Sequence, residues 1–232
     1  MPLVQIRHLT KEYRQGDRTI IPLHDVNLQI ERGDFLALTG ASGSGKTTFL
    51  NLLVGLDRPS AGQIVVQGTD LGLLSKKELA HWRAGHVGYI IQLGNLIPLL
   101  SVVENVELPL VLLGLPFRER RRRAAAALES VGLSGQSSRY PAQLSGGEAK
   151  RVGIARAIVA GPDIVVADEP TAELDATSAE AILQVLQQLN RECKTTLFLV
   201  THDCHAAERA ARRLRLEEGK LSEYEAPRKM TG

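Results

Sequence analysis

The run GDFLALTGASGSGKTTFLNLLVGL, residues 33–56, constrains this chain more than any other. A short apolar strand (FLALT), a glycine-rich turn and an apolar helix follow one another with no spacer. Gly40, Ala41, Ser42, Gly43, Ser44, Gly45, Lys46 and Thr47 fill every fixed position of G-x-x-x-x-G-K-[ST]. Glycines there let backbone N–H groups converge on phosphate oxygens that side chains would fend off. A helix beginning near Lys46 turns its positive end toward the same anion. The loop, as far as Thr48, is therefore expected to cradle ATP, with the Lys46 ammonium at the β- and γ-phosphates and the Thr47 hydroxyl on Mg²⁺.

A second element agrees with the first. IVVADE, residues 164–169, is four apolar residues followed by two carboxylates. Such a run suits a strand buried on both faces, and ligands of parallel sheets bind at the strands' C-terminal ends. Asp168 is placed there to hold Mg²⁺ through a water, and Glu169 to polarise an attacking water. Positioning and charge neutralisation would then carry the hydrolysis of ATP.

Around these motifs, apolar strands alternate with helices. VQIRHLTKEY and IPLHDVNLQI read as strands, as do HVGYIIQ and TTLFLVTHD, and RRLRLEEGKLSEYE reads as a hairpin turning at Glu218-Gly219. SAEAILQVLQQLNREC has the period of an amphipathic helix. The order implies an α/β fold with a mainly parallel sheet covered on both faces. From Leu93 to Gln143 strand-like runs vanish, and FRERRRRAAAALESVGL is the one helix the pattern assigns there; GEAKRVGIARAIVAG follows as another. With 232 residues and no linker or repeat, the chain reads as a single domain. Residues 1–92 and 161–232 would form its core, and 93–160 an inserted helical subdomain.

Composition excludes several classes of function. Net charge is +2, from 28 Lys+Arg against 26 Asp+Glu, which argues against a nucleic-acid-binding surface. The Arg120–Arg123 run reads as the solvated face of a helix rather than a polyanion patch. The most apolar stretch, residues 97–117, is broken by Glu104 and Glu107, and its uncharged end is too short to cross a bilayer. The N-terminal segment lacks the apolar core of a signal peptide. Cys193 and Cys204 have no metal-ligand or disulfide spacing, which fits reduced thiols in the cytoplasm. A role at a membrane would have to run through a partner.

About a hundred residues after the first glycine-rich loop comes another, QLSGGEAKR, residues 143–151. A second anion site in one chain either takes another ligand or meets the same phosphate from a second molecule. In the second case Ser145, Gly146 and Gly147, at a helix start, cap the γ-phosphate held by another copy, and a two-fold homodimer encloses two ATP.

LSGGEAKRVGIARA resembles the signature motif of ATP-binding cassette (ABC) ATPases, and nearly the whole chain is similar to that family in the order of its motifs. The resemblance implies a RecA-like P-loop NTPase core with an N-terminal antiparallel β element and the helical insert. It implies that Tyr13 stacks on adenine, and that Gln92 contacts Mg²⁺ or the lytic water and relays to a membrane subunit. It makes Leu144, Ser145, Gly146, Gly147 and Glu148 the signature, Asp175 the D-loop aspartate and His202 the switch histidine at the γ-phosphate. ENVELPL at 104–110 and SGGE at 145–148 look like the subgroup of short ATPases of lipoprotein release, macrolide export and cell division. An integral membrane permease is the implied partner, with the chain held peripherally on the inner face of the cell membrane and nucleic acid not expected.

The sequence departs from the family in three places. Leu93-Gly94 follows Gln92 where an aromatic residue is frequent, Ala149-Lys150 follows SGGE in place of a glutamine- or arginine-rich pair, and the D-loop has Ala172-Glu173. Two other classes compete. Soluble ABC proteins of DNA repair need a long coiled coil between the two loops, for which there is no room, and those of translation usually carry two cassettes. A P-loop kinase would leave residues 143–151 without a role.

Overall fold

The computed structural model describes residues 1–91 and 96–224. These fall into two compact units, one of Met1–Leu73 with the segment from Phe198, the other Leu74–Leu197. The residues 93–160 expected as a helical insert belong to the second unit as far as they are described, and so do the strand at 164–168 and the helix after it.

The first unit opens with a long hairpin, β1 (Val4–Gln15) antiparallel to β2 (Arg18–Ile30). Strands β4 (Ala61–Val66) and β5 (Thr69–Asp70) extend it to the order β2-β1-β4-β5. Leu23, Val26, Leu28 and Ile30 are buried in β2 while the residues between them are exposed, so the alternation legible in sequence is one wet and one dry face. The same unit holds β3 (Phe35–Thr39), parallel to β9 (Arg212–Glu217), and β10 (Lys220–Glu223), which returns antiparallel to β9. Strand β8 (Thr196–Val200) carries the chain back from the second unit and hydrogen-bonds to β3, its Thr201 N–H donating to Leu38. Helix α1 (Lys46–Leu53) follows β3 and packs Phe49 on Phe198 with ring centroids 5.5 Å apart. The short α7 (Cys204–Ala207) follows β8.

The second unit is mostly helical: α2 (Lys76–His86), α3 (Val102–Leu112), α4 (Phe117–Ser130), α5 (Gly146–Ile158) and α6 (Ala176–Cys193). Its strands β6 (Val87–Ile90) and β7 (Ile164–Asp168) pair in parallel. The sequence pattern assigns neither α2 nor α3. Both begin at a Ser-x-x-Glu in which the glutamate carboxylate accepts from the serine backbone N–H, Glu78 from Ser75 at 2.7 Å and Glu104 from Ser101 at 2.8 Å. The two charges that break the apolar run thus have structural employment. Glu104 starts α3, and Glu107, 4% exposed, faces Arg121 of α4 across 3.1 Å. The arginine run behaves as a helix face: Arg122 and Arg123 bond to Glu119, and Arg120 donates to the Leu115 carbonyl.

One close approach sets how α5 lies on the strands of this unit. A Cβ on Gly88 of β6 would sit 2.3 Å from the Ala157 carbonyl oxygen of α5 and 2.9 Å from its carbon. Backbone cannot yield as a side-chain tip does, so only glycine lets the helix rest there. Gly88→Ala should lower the free energy of urea unfolding by about 1–3 kcal/mol, the cost of overpacking a filled core.

Candidate active site

In the first unit the phosphate loop runs from the end of β3 into α1. Gly45, the N-cap of α1, has φ +102°, and a Cβ there would meet the Pro22 carbonyl oxygen at 2.6 Å. Both the turn and the fit against β2 therefore require glycine. The Lys46 ammonium donates to the carbonyl oxygens of Gly40 (2.8 Å) and Ala41 (2.9 Å), so it lies folded along its own loop with one N–H left to give. Ser44 Oγ is buried with no hydrogen-bond partner, which marks a polar atom awaiting an oxygen or a water. Ala41, Ser42, Gly43 and Thr47 are exposed, and Thr48 is half-buried. An orphaned hydroxyl, a folded ammonium and the N-terminus of an eight-residue helix suit a polyphosphate.

His202 is exposed just after β8, beyond the buried Thr201 whose Oγ1 accepts from Asp203 N–H at 3.0 Å. Tyr13 lies in β1, half-buried, and its hydroxyl donates to Asp57 Oδ2 at 2.8 Å.

The second unit presents the carboxylates and the other glycine-rich loop. Strand β7 is buried through Ala167, and Asp168 and Glu169 emerge half-buried at its C-terminal end. Glu169 has φ +47°, a left-handed conformation uncommon for glutamate. The turn it begins is closed by Ala172 N–H donating to the Glu169 carbonyl at 3.1 Å. Such strain persists where surrounding structure holds it, often at reactive positions. The Tyr89 hydroxyl on the neighbouring β6 is pushed up to about 12, by burial first and then by the negative charge of Asp168.

Ser145 is the N-cap of α5. Its Oγ accepts from Glu148 N–H at 3.2 Å, and Glu148 Oε2 accepts from Ser145 N–H at 2.7 Å. Glu148 also pairs with Arg139 at 3.0 Å, and these bonds, the Ser145 backbone's first, hold its carboxyl below the usual range. The capping box uses the N–H groups of Ser145 and Glu148. Those of Gly146 and Gly147 have no acceptor within the helix, since a helix leaves its first N–H groups unpaired. Asp175 caps α6 in the same way, accepting from Ser178 N–H (3.0 Å) and Oγ (2.6 Å). The two helix starts are neighbours: Cβ positions on Gly146 and Gly147 lie 3.6 Å from Leu174 Cδ2 and 3.4 Å from Ser178 Oγ. Leu144, half-buried, precedes the cap. Of the residues singled out in the sequence, Gln92 and the Leu93-Gly94 that follows it lie outside the described residues.

A model of the family described as ABC transporter matches residues 23–172. The chain belongs to the ABC transporter family. It is an ABC-type ATPase cassette with the P-loop NTPase fold, mixed α/β with an antiparallel sheet beside a parallel one. The macrolide export ATP-binding/permease protein MacB of Sodalis glossinidius is 46% identical over 220 residues, 95% of this chain and 34% of that one. The chain thus spans about a third of the length of such relatives. The uncharacterized ABC transporter ATP-binding protein YbbA of Escherichia coli K12 is 45% identical over 95% of this chain and 97% of its own. Among solved structures, the dimeric ATP-binding cassette MJ0796 in a post-hydrolysis state with ADP and Pi superimposes with a TM-score of 0.86. It is 38% identical, with 97% of this chain and all of that one covered. The MacB relatives agree with the macrolide-export member of the subgroup indicated by the sequence.

Two of this ABC cassette's departures from the family meet in space. Lys150 of α5 is 8% exposed and its ammonium has no hydrogen-bond acceptor. Burial pushes its pKa down, and the attraction of Glu173, in the turn after β7, offsets only part of that. A lysine whose folded pKa lies below its unfolded one binds fewer protons folded than unfolded between the two, so stability rises with pH through that window. Lys150→Met should therefore raise the unfolding free energy at pH 7, by about 1 kcal/mol or more. Urea titrations should show that advantage shrinking as the pH approaches that of free lysine.

Proposed function

We propose that this ABC cassette works as a homodimer closing on two ATP-Mg and driving an integral membrane permease. The observation that carries the reading is the start of α5. Its capping box consumes the N–H groups of Ser145 and Glu148 and leaves those of Gly146 and Gly147, with the exposed Ser145 hydroxyl, turned to an outside anion. The phosphate loop has donors of its own, so the second set is best used on the γ-phosphate of a neighbour's ATP. The MJ0796 cassette is itself dimeric with ADP and Pi bound, which supports a dimer here.

In this reading Lys46 and the loop N–H groups from Gly40 to Thr48 neutralise the triphosphate in one copy. Leu144, Ser145, Gly146 and Gly147 of the other close over it, with Glu148 setting the cap rather than touching phosphate. Glu169 accepts hydrogen-bonding from the attacking water and draws its proton away, while His202 meets the γ-phosphate and Asp175 fixes the start of α6 beside the signature. Thr47, Asp168 and Gln92 would hold Mg²⁺, which supplies charge neutralisation on the phosphates. Their oxygen atoms suit a hard cation. Mg²⁺ keeps water and substrate phosphate for most of its ligands, so few protein oxygens are needed.

The permease partner is supported by the fused permease of the MacB relatives and by apolar exposure in the second unit. Leu99, Leu112 and Phe117 are 88%, 74% and 58% exposed. No helix among the described residues is long and apolar enough to cross a membrane. In this reading the permease holds the cassette at the membrane's inner face. Residues 93–160 would then be the partner-facing insert, and the work done is export, lipoprotein extraction or transmitted motion, with substrate choice made by the partner.

Glu169→Gln should cut turnover by at least about 100-fold, within the range for loss of a general base. It should also run as a dimer in size-exclusion chromatography with saturating ATP-Mg; a monomer there would sink the dimer model. Ser145→Arg should abolish turnover yet leave ATP binding to the isolated subunit intact. Loss of that binding would make residues 143–151 a site for the same chain's nucleotide.

A further inference from the structure

We infer that Asp57 and Lys11 are positioning residues for the nucleobase, holding the Tyr13 ring at a set place relative to the phosphate loop. The inference rests on the reading of Tyr13 as the surface on which adenine stacks, and it identifies what makes that ring a fixed platform.

Lys11 and Tyr13 are two apart in β1, at places where its register with β2 shifts. Lys11 is 9% exposed. Its ammonium donates to Asp57 Oδ1 at 2.8 Å and to the Arg58 carbonyl at 2.7 Å, and lies 4.8 Å from the centre of the Tyr13 ring. The Tyr13 hydroxyl donates to Asp57 Oδ2 at 2.8 Å. One carboxylate therefore receives the ammonium on one oxygen and the phenol on the other.

Asp57 lies just past the C-terminal end of α1, the helix that begins at Lys46. Asp57 is folded back under the far end of that helix, its N–H donating to the Asn51 carbonyl at 3.1 Å. The tyrosine oxygen is thereby pinned to the helix whose N-terminus faces the phosphates. The distance from ring to phosphate loop becomes a property of α1 rather than of a free strand end. Lys11 occupies one ring face as a cation–π contact, which leaves the other for a purine.

The charge states support this. Burial pushes the Asp57 carboxyl up, but hydrogen bonds from Lys11 and Tyr13 outweigh it and hold the group below the usual range, so it stays an acceptor. Burial first, and then the bond to Asp57, push the Tyr13 phenol up, so it stays a donor. Lys11 and Asp57 are 46 residues apart in sequence, and neither belongs to the phosphate loop.

The test compares ATP with inorganic tripolyphosphate, which has the charge and no base. Binding of each, with Mg²⁺, is measured by calorimetry on the full chain and on Tyr13→Phe, Asp57→Asn, Lys11→Met and Tyr13→Ala. Tyr13→Phe keeps the ring and removes only its tether. Tyr13→Phe and Asp57→Asn should weaken ATP binding by about 3–10-fold, as the loss of a charge-assisted hydrogen bond does. Tripolyphosphate should change by less than about twofold, and KM for ATP should rise while kcat holds. Lys11→Met should follow the same pattern. A merely structural role would weaken both ligands together, and that result overturns the inference. It is also overturned if Tyr13→Ala weakens ATP while Tyr13→Phe and Asp57→Asn do not. If Tyr13→Ala itself leaves ATP binding unchanged, the stacking role of Tyr13 is what fails. Should Asp57→Asn not fold, Tyr13→Phe decides alone.

Discussion

An α-helix cannot satisfy the N–H groups of its own first turn, and the candidate active site is built on that deficit. Helix α1 follows a glycine-rich turn that ends at Gly45, and α5 follows Ser145 with Gly146 and Gly147 in its own first turn, so side chains stay out of the way at both. A triphosphate needs many donors and a positive field, and in the proposed homodimer two such helix starts, one from each copy, would supply both. The remaining placements serve to aim them. Gly45 seats α1 against Pro22, and Gly88 lets α5 rest on β6. The caps on Ser145 and Asp175 decide which donors stay available.

Much of this is legible in the residues themselves. The phosphate loop depends on spacing between near neighbours, and β7 shows as an apolar run ending in Asp168-Glu169, so both can be read without coordinates. Helices α2 and α3 cannot be read so easily. Pro109 lies inside α3, and Glu104 and Glu107 interrupt an otherwise apolar stretch, so no clean helical period emerges. The glutamates make sense only once Ser101 and Arg121 are beside them. The same holds for Lys11 and Asp57, whose bond joins distant segments, and for the left-handed Glu169, since no local rule marks a glutamate for positive φ.

The departures from the family acquire a physical meaning in the same way. Lys150 and Glu173 look unrelated on the page, one after the signature and one in the turn after β7. In the fold they are a buried ammonium and the carboxylate that attracts it. A charge introduced into a packed helix is costly unless something answers it, and the second departure is part of that answer.

The repeated Ser-x-x-Glu of the second unit carries one more implication, for behaviour in acid. Glu78, Glu104 and Glu148 each brace a helix start, Asp175 braces a fourth, and hydrogen bonds hold all four carboxyls below their ordinary range. A carboxyl depressed on folding stabilises the native form above its unfolded pKa, and that support goes as the pH falls through the folded value. Four helix starts thus rest on one chemistry, and acid weakens each in the same direction. Acid therefore reaches the starts of α2, α3, α5 and α6 alike, through serine–carboxylate pairs set three residues apart.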